Sequence, residues 1–267
     1  MLSVVIPTCD RLEMLEQCLL RLQPGSQTLQ EVQYEVIVSD DSRNNSTQEL
    51  INTRYPWVKW IKGPQKGPAS NRNSGVQKAS GEWILFVDDD CLPDPGWIQA
   101  YKEAIDGGVA KVYEGLTDAD RPQQRFDEQS PINLSGGVLW SCNFGIDKQL
   151  FTSLGGFDEN FPYPAMEDTD FHLRLSKVAN IQFVSSAKVI HPWRKVKPFK
   201  GYRKWLASQK YFAKKHGGYG TFSFRYSRFK ILISDLFHLS KELLHFSFKG
   251  TGFYCERIWF DVVMVFI

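Results

Sequence analysis

What most limits the folds open to this chain is a recurring unit, a short apolar run that stops in a cluster of polar and mostly acidic residues. Leu2 to Ile6 leads into Thr8-Cys9-Asp10, Tyr34 to Val38 into Ser39-Asp40-Asp41-Ser42, and Trp83 to Val87 into Asp88-Asp89-Asp90. Val58 to Ile61 and, more weakly, Val109 to Tyr113 are runs of the same kind. Runs this short, rich in β-branched and aromatic residues, have the length and composition of buried strands. Amphipathic stretches separate them. Arg11 to Leu22 carries Leu12, Leu15, Leu19 and Leu22 on one face, Ser46 to Asn52 opens with the capping box Ser46-x-x-Glu49, and Ala69 to Ala79 follows. This alternation predicts an α/β fold with a central, mainly parallel mixed sheet flanked by helices. Ligands of such sheets bind in the crevice beyond the carboxyl ends of the strands, so the acidic clusters gather at one edge.

Further along, Thr117 to Pro131 is rich in charge, Gln and Pro and reads as a mobile insertion or crossover loop. Gly136 to Ile146 reads as a strand, Met166 to Val178 as a helix and Ile181 to Ile190 as a closing strand. The character of the chain then changes. Residues 1–191 hold 17 Lys and Arg against 26 Asp and Glu, whereas residues 192–230 hold 12 against none. This basic collar interleaves its charges with Trp, Tyr and Phe. Behind it, Leu232, Leu236, Leu239, Leu243 and Phe246 mark an amphipathic helix. The formal charge of the whole chain is only +2, and 42% hydrophobic against 23% charged residues excludes a disordered or coiled-coil chain.

Cys9, Cys18, Cys91, Cys142 and Cys255 are odd in number and lack a C-x-x-C pair, which argues against a disulfide framework or zinc knuckle. There is no signal-like start and no apolar run of spanning length; 258–267 is too short. These features point to the cytoplasm. The collar adds the expectation of a peripheral position on the inner face of the cell membrane, with an anionic membrane surface as partner. A solvated basic face with its aromatics in a core fits the same composition. No recognised RNA-binding motif is present, so nucleic acid is not an expected partner.

Asp88-Asp89-Asp90 is the most informative cluster. Three adjacent carboxylates at the edge of a core repel one another by roughly 3 kcal/mol per close pair at an effective dielectric of about 20. Either water solvates them in a turn or a cation sits among them. Asp88 and Asp90 alternate on an extended chain, and their hard oxygens suit Mg²⁺ or Mn²⁺. Glu167-Asp168-x-Asp170 opens the later helix, where carboxylates are favoured by the helix end or one of them serves as a general base.

The order of these blocks resembles the family 2 glycosyltransferases, inverting enzymes with the GT-A type nucleotide-sugar-binding fold. The likeness runs through Val4 to Arg11, Val36 to Ser42, Ser70 to Gly75, Ile84 to Asp90, Cys142-Asn143-Phe144, Gly155 to Glu159 and Glu167 to Leu175. It implies a GT-A catalytic domain over 1–191, with a nucleotide-binding half at 1–115 and an acceptor-side half at 116–191. The extension 192–267 follows. It implies that Asp40 bonds the pyrimidine of a UDP- or dTDP-sugar, with Thr8 and Arg72 lining the same pocket. Asp10, Arg11, Asp89, Asn143 and Glu167 are implied as further substrate contacts. Asp88 and Asp90 correspond to the family's D-x-D, with Asp88 turned to ribose and metal and Asp90 on the metal itself. His191 matches a position where some related transferases place a third metal ligand, and Asp168 corresponds to the catalytic base. Trp193-Arg194-Lys195 reads as a lid over the diphosphate or as a solvated loop. The implied reaction is metal-dependent transfer of a sugar to a hydroxyl acceptor, a lipid-linked saccharide or surface polysaccharide. Two rivals are a sugar-phosphate nucleotidyltransferase, whose glycine loop Ile6 to Arg11 lacks, and a non-catalytic adaptor binding membrane or nucleic acid.

Overall fold

The strands pair through long-range contacts into one eight-stranded sheet and one two-stranded sheet. The computed structural model describes residues 1–28 and 34–266. The chain runs β1 (Leu2–Thr8), α1 (Leu12–Leu22), β2 (Tyr34–Asp40), α2 (Ser46–Arg54), β3 (Val58–Lys62), α3 (Pro68–Lys78), β4 (Trp83–Val87), β5 (Leu92–Pro93) and α4 (Trp97–Asp106). It continues through β6 (Val112–Ala119), β7 (Glu128–Gln129), β8 (Asn143–Asp147), α5 (Lys148–Ser153), α6 (Glu167–Leu175), β9 (Ile181–His191), β10 (Arg194–Lys195), α7 (Tyr202–Lys215), α8 (Phe222–His245) and α9 (Thr251–Val265). The large sheet has the order β3-β2-β1-β4-β8-β6-β9-β5. β1 pairs in parallel with both β2 and β4, and the chain reverses its winding between these two neighbours. The carboxyl ends of β1 and β4 therefore flank a topological switch point, the place where such sheets open a crevice.

Alternate residues of the central strands enter different layers of the core. Val4, Ile6, Val36, Val38, Leu85 and Val87 pack with Leu15, Cys18 and Leu19 of α1, while Val5, Ile37, Ile84 and Phe86 pack on the opposite face. That opposite face is aromatic: Phe86 stacks on Phe144 at 4.8 Å, and Phe151, Phe157 and Phe171 close around them. α3 approaches β1 closely because Gly75 has no side chain; a Cβ there would stand 2.4 Å from Val5 Cγ1.

Several expectations change in three dimensions. The capping box of α2 does not form: Asn45 is the N-cap without a side-chain bond, and the Ser46 N–H donates to Asn44 Oδ1. The expected strand from Gly136 shrinks to Asn143–Asp147. Its first part turns because the buried Glu114 carboxylate accepts the N–H groups of Gly137, Val138 and Leu139, with Gly136 and Gly137 at positive φ. Thr117 to Pro131 is not a loop throughout, since β6 runs to Ala119 and Arg121 and Arg125 pair with Glu128 and Asp127. α4 and α5 went unread in the sequence. The apolar tail forms α9, with Ile267 outside the described residues.

Asn143, an expected substrate contact, is a buried brace of the sheet. Its Oδ1 accepts from Trp97 Nε1 and Tyr101 Oη at 2.8 Å each, and its Nδ2 donates to the carbonyls of Leu116 and Ala187. All the bonds its amide can make are used within the fold.

Two compact units are present. One comprises Met1–Asp120, Pro131–Asn160 and Glu167–Pro192; the other comprises Arg121–Ser130, Phe161–Met166 and Trp193–Ile267. Thus 121–130 and 161–166, expected with the catalytic domain, fold with the extension. Within that second unit, β10 pairs with β7, so Arg194-Lys195 forms a short strand. Phe126 packs on Phe246 and Tyr254, Trp205 on Phe260, and α8 lies against α9 through Arg257–Asp235 and the bond from Tyr254 Oη to the Asp235 carbonyl.

Replacing Asn143 by Ala removes the bonds of three buried partners and one half-buried carbonyl, and each buried group left unsatisfied costs about 1–3 kcal/mol. We expect urea denaturation of Asn143→Ala to show a loss of at least about 3 kcal/mol. A loss below about 1 kcal/mol would remove the bracing role.

Candidate active site

The site is built on the chain's exit from β4. The strand ends at Val87, and the Cys91 N–H donates to the Asp88 carbonyl, so Asp88 to Cys91 form a turn rather than continuing the strand alternation. Each carboxylate then takes a different partner. Asp88 Oδ1 accepts from Arg72 Nη2 at 2.6 Å. Asp89 Oδ2 accepts from Thr8 Oγ1 at 2.7 Å, and Arg11 Nη1 bridges Asp89 at 3.0 Å and Asp90 at 3.1 Å. Asp90 Oδ1 lies 3.3 Å from His191 Nε2 at the end of β9. The fold thus brings together β1, the β4 turn and β9, which are far apart in the chain.

Arg72 is the hinge of the arrangement. It is presented by α3, is 4% exposed, lies 5.7 Å from the ring centre of Phe157, and also approaches Glu167 Oε1 at 3.7 Å. One buried guanidinium therefore joins the Asp triplet to the start of α6. Asp168 is half-buried and one of its oxygens accepts the Thr169 N–H at 2.7 Å. Asp170, in contrast, pairs with Arg174 at 2.8 Å, and Arg174 also donates to the carbonyls of Leu154 and Gly156. Asp170 anchors a loop; Glu167 and Asp168 face the site.

Burial sets the protonation of these acids. It pushes Asp89 up to about 6 despite the pull of Arg11 and the Thr8 bond. Burial, followed by repulsion from Asp168, pushes Glu167 up to about 7 against the attraction of Arg72. Asp168 is raised by burial as well. Two guanidiniums, Arg11 and Arg72, face five carboxylates, and among the described residues Glu167 Oε2 and Arg72 Nε are buried without a hydrogen-bond partner. An excess of buried negative charge fits a divalent cation. Asp90, Cys91 and His191 place their donor atoms within 4.8 Å of one another. Burial holds the Cys91 thiol far above its ordinary range, and it donates to the Cys142 carbonyl, so Asp90 and His191 are the members suited to a hard ion.

The rest of the site forms at the ends of β1 and β2. Asp40 is fully buried: its oxygens accept from the Ser42 N–H and from Trp60 Nε1. It therefore shapes this edge from inside the protein. Asp10 is exposed, its N–H donating to Ser42 Oγ, and Arg11 is also exposed, at 41% of its side chain. Sequence reading missed Asp41, which accepts the N–H groups of Gln65 and Gly67 and holds the loop before α3, and Trp60, which fixes Asp40. Asp41 adjoins Asp40 and Cys91 adjoins the triplet, which was the available signal; nothing local marks Trp60.

The model of the family described as glycosyl transferase family 2 matches residues 3–154, more than half of the chain. The chain belongs to this family. A second model, glycosyltransferase like family 2, matches residues 138–227. Among similar proteins, the glycosyltransferase AglE of Haloferax volcanii is 32% identical over 171 residues, covering 61% of this chain and 55% of that protein. A Campylobacter jejuni protein named GalNAc(5)-diNAcBac-PP-undecaprenol beta-1,3-glucosyltransferase is 31% identical over 117 residues, covering 42% of this chain and 37% of its own length. This chain therefore spans about half or less of these relatives. The crystal structure of residues 1–349 of S. aureus TarS in complex with UDP-GlcNAc superposes with a TM-score of 0.62 at 22% identity, covering 80% of this chain and 66% of that one. This likeness establishes the GT-A fold.

Glu167 supplies a pH test. Its carboxyl keeps its proton in the folded chain up to about 7, against an ordinary 4.5, so the unfolded chain binds fewer protons across that window. The stability contributed by this group then falls as pH rises from about 4.5 to 7. Glu167→Gln, measured by thermal unfolding in the presence of a chelator, is expected to flatten this fall, gaining about 1–3 kcal/mol over wild type at pH 8 and nothing at pH 4. Parallel curves for the two proteins would contradict the assignment.

Proposed function

We propose that this chain is an inverting glycosyltransferase that moves a sugar from a nucleotide diphosphate donor, a UDP- or dTDP-sugar, to a hydroxyl acceptor. One observation carries the reading: Arg72 bonds Asp88 at 2.6 Å and approaches Glu167 at 3.7 Å, so the Asp triplet and the Glu167-Asp168 pair line one crevice at the sheet's switch point. Inverting transfer needs these two sets of acids close together but distinct. The leaving diphosphate needs its charge neutralised, and the attacking hydroxyl needs one base.

Asp168 is the base in this reading. One of its oxygens is held by the Thr169 N–H, which leaves the other to accept a proton, and burial makes the carboxylate more basic than an exposed one. Glu167 holds Arg72 in place beside it. Asp88 and Asp90, with His191, would hold Mg²⁺ or Mn²⁺, which when bound would neutralise the charge developing on the leaving diphosphate. Thr8, Asp10, Arg11 and Arg72 line the donor side. Asp89 fixes Thr8 and Arg11, and Asp40 shapes the edge where the pyrimidine is expected. For the acceptor we take a lipid-linked saccharide, the class in the name of the Campylobacter relative, and on that basis a place at the cytoplasmic side of a membrane.

Two measurements test this. Asp168→Asn should lower kcat by at least about 10²-fold, as for a lost general base, while calorimetric affinity for UDP stays within about twofold of wild type. Wild-type turnover in that variant would pass the role to Glu167. Separately, UDP affinity should rise at least about tenfold with Mn²⁺ and lose that gain in Asp90→Ala. Equal affinity with Mn²⁺ and with a chelator would overturn the metal dependence.

A further inference from the structure

We propose that the outer face of α8 docks on an anionic bilayer surface, with its aromatic and aliphatic side chains entering the headgroup region. The proposal goes beyond the transfer reaction and does not depend on it. It starts from an arrangement that the leucine spacing of this helix concealed. Leu232, Leu239 and Leu243 are half-buried and Phe246 is buried, and on that side Asp235 is buried in its pair with Arg257. Phe222, Tyr226, Phe229, Ile233, Phe237 and Leu244 recur at helical spacing on the adjoining face, and all are between 48% and 83% exposed. Leu236, from the expected apolar stripe, belongs to this outer face at 45% exposure. α8 is thus apolar on two faces, and the second unit covers one of them.

The outer stripe runs most of the length of a 24-residue helix, about 36 Å at 1.5 Å per residue. A helix exposed to water normally presents a polar outer face. Here the basic residues stand at the margins. Arg225 lies on one edge and Lys230 and Lys241 on the other, and Lys230 Nζ sits 4.5 Å from the ring centre of Tyr226. The run 192–230, which holds Arg225 and Lys230, contains no acid; the acids of α8, Asp235 and Glu242, follow it. Phe and Tyr on the apolar face with Lys and Arg at its borders is the pattern of a helix lying in the interface plane. Among the described residues no helix is long and apolar enough to cross a membrane. A second copy of the chain is the poorer occupant, because a symmetric contact through this face would set its basic margins against each other.

Sedimentation of the full chain with phosphatidylcholine vesicles, with and without phosphatidylglycerol, over a salt series tests the proposal. Wild type should partition onto the anionic vesicles at least about tenfold more strongly than onto neutral ones at low salt. Added salt should weaken this without abolishing it, since screening acts on the charges and not on the inserted rings. The double variant Arg225→Glu/Lys230→Glu should lose the salt-sensitive part. Phe222→Ser/Phe237→Ser should lose the salt-resistant part by about tenfold with unchanged helix content. In Phe237→Trp, the added fluorescence should be quenched by brominated anionic lipid, a readout that does not require removing the apolar face. Wild type ignoring anionic vesicles at low salt, wild-type binding by Phe222→Ser/Phe237→Ser, or an unquenched tryptophan would each overturn the proposal. So would a dimer that the double Ser variant converts to monomer without any vesicle binding. UDP calorimetry on the same samples reports the donor site separately, so failure of one reading leaves the other standing.

Discussion

The charge balance at the mouth of the sheet is the constraint on which the first unit depends. Asp88, Asp89, Asp90, Glu167 and Asp168 are brought close together by the end of β4 and the start of α6, and carboxylates so placed repel one another unless cations or protons intervene. The chain supplies both. Arg11 and Arg72 each reach two acids, and burial leaves Asp89 and Glu167 with carboxyls that hold their protons up to about 6 and about 7. Truncating Arg72 would leave buried acids unpaired, the costly outcome for any buried ionic group. It is also the link between the Asp triplet and the acids that open α6.

The scaffold under this crevice is built to hold it still. Asn143 ties β8 to α4, β6 and β9 with a fully used amide, Asp170 and Arg174 pin the loop at 154–156, and Asp41 pins the loop at 65–67. These polar groups, in the sheet, on α6 and after β2, are each bonded within the fold, so they add directional constraint to close packing. A site whose chemistry needs its reacting groups held within fractions of an ångström gains from such bracing.

The second unit solves a different problem. Its basic collar contributes Trp205 and Tyr211 to aromatic contacts within the unit, so part of the unusual composition serves packing. The remainder is surface that is neither ordinary solvated charge nor buried apolar residue, and α8 shows both characters on one helix.

Sequence alone determined the sheet-and-helix alternation, because burial of a strand or of one helix face needs apolar residues at a fixed local period. β4 begins and ends where its apolar run does, and β1, β2 and β9 extend their runs by only one or two residues. The acids of the site were legible for the same reason: a charge directly after a buried strand must emerge at the sheet's edge. Which acid does what was not legible. Asp88, Asp89 and Asp90 are neighbours in the chain, yet a turn sends them to Arg72, Thr8 with Arg11, and His191, partners brought near by pairings across tens of residues. The same is true of Asn143, whose amide is claimed by three other elements, and of Asp170, claimed by Arg174. On α8 the leucine period revealed one apolar face, but which face meets the protein depends on where α9 packs. Local periodicity records what must be buried; only the tertiary structure decides against what, because partners, burial and counter-charge are properties of residues distant in the chain.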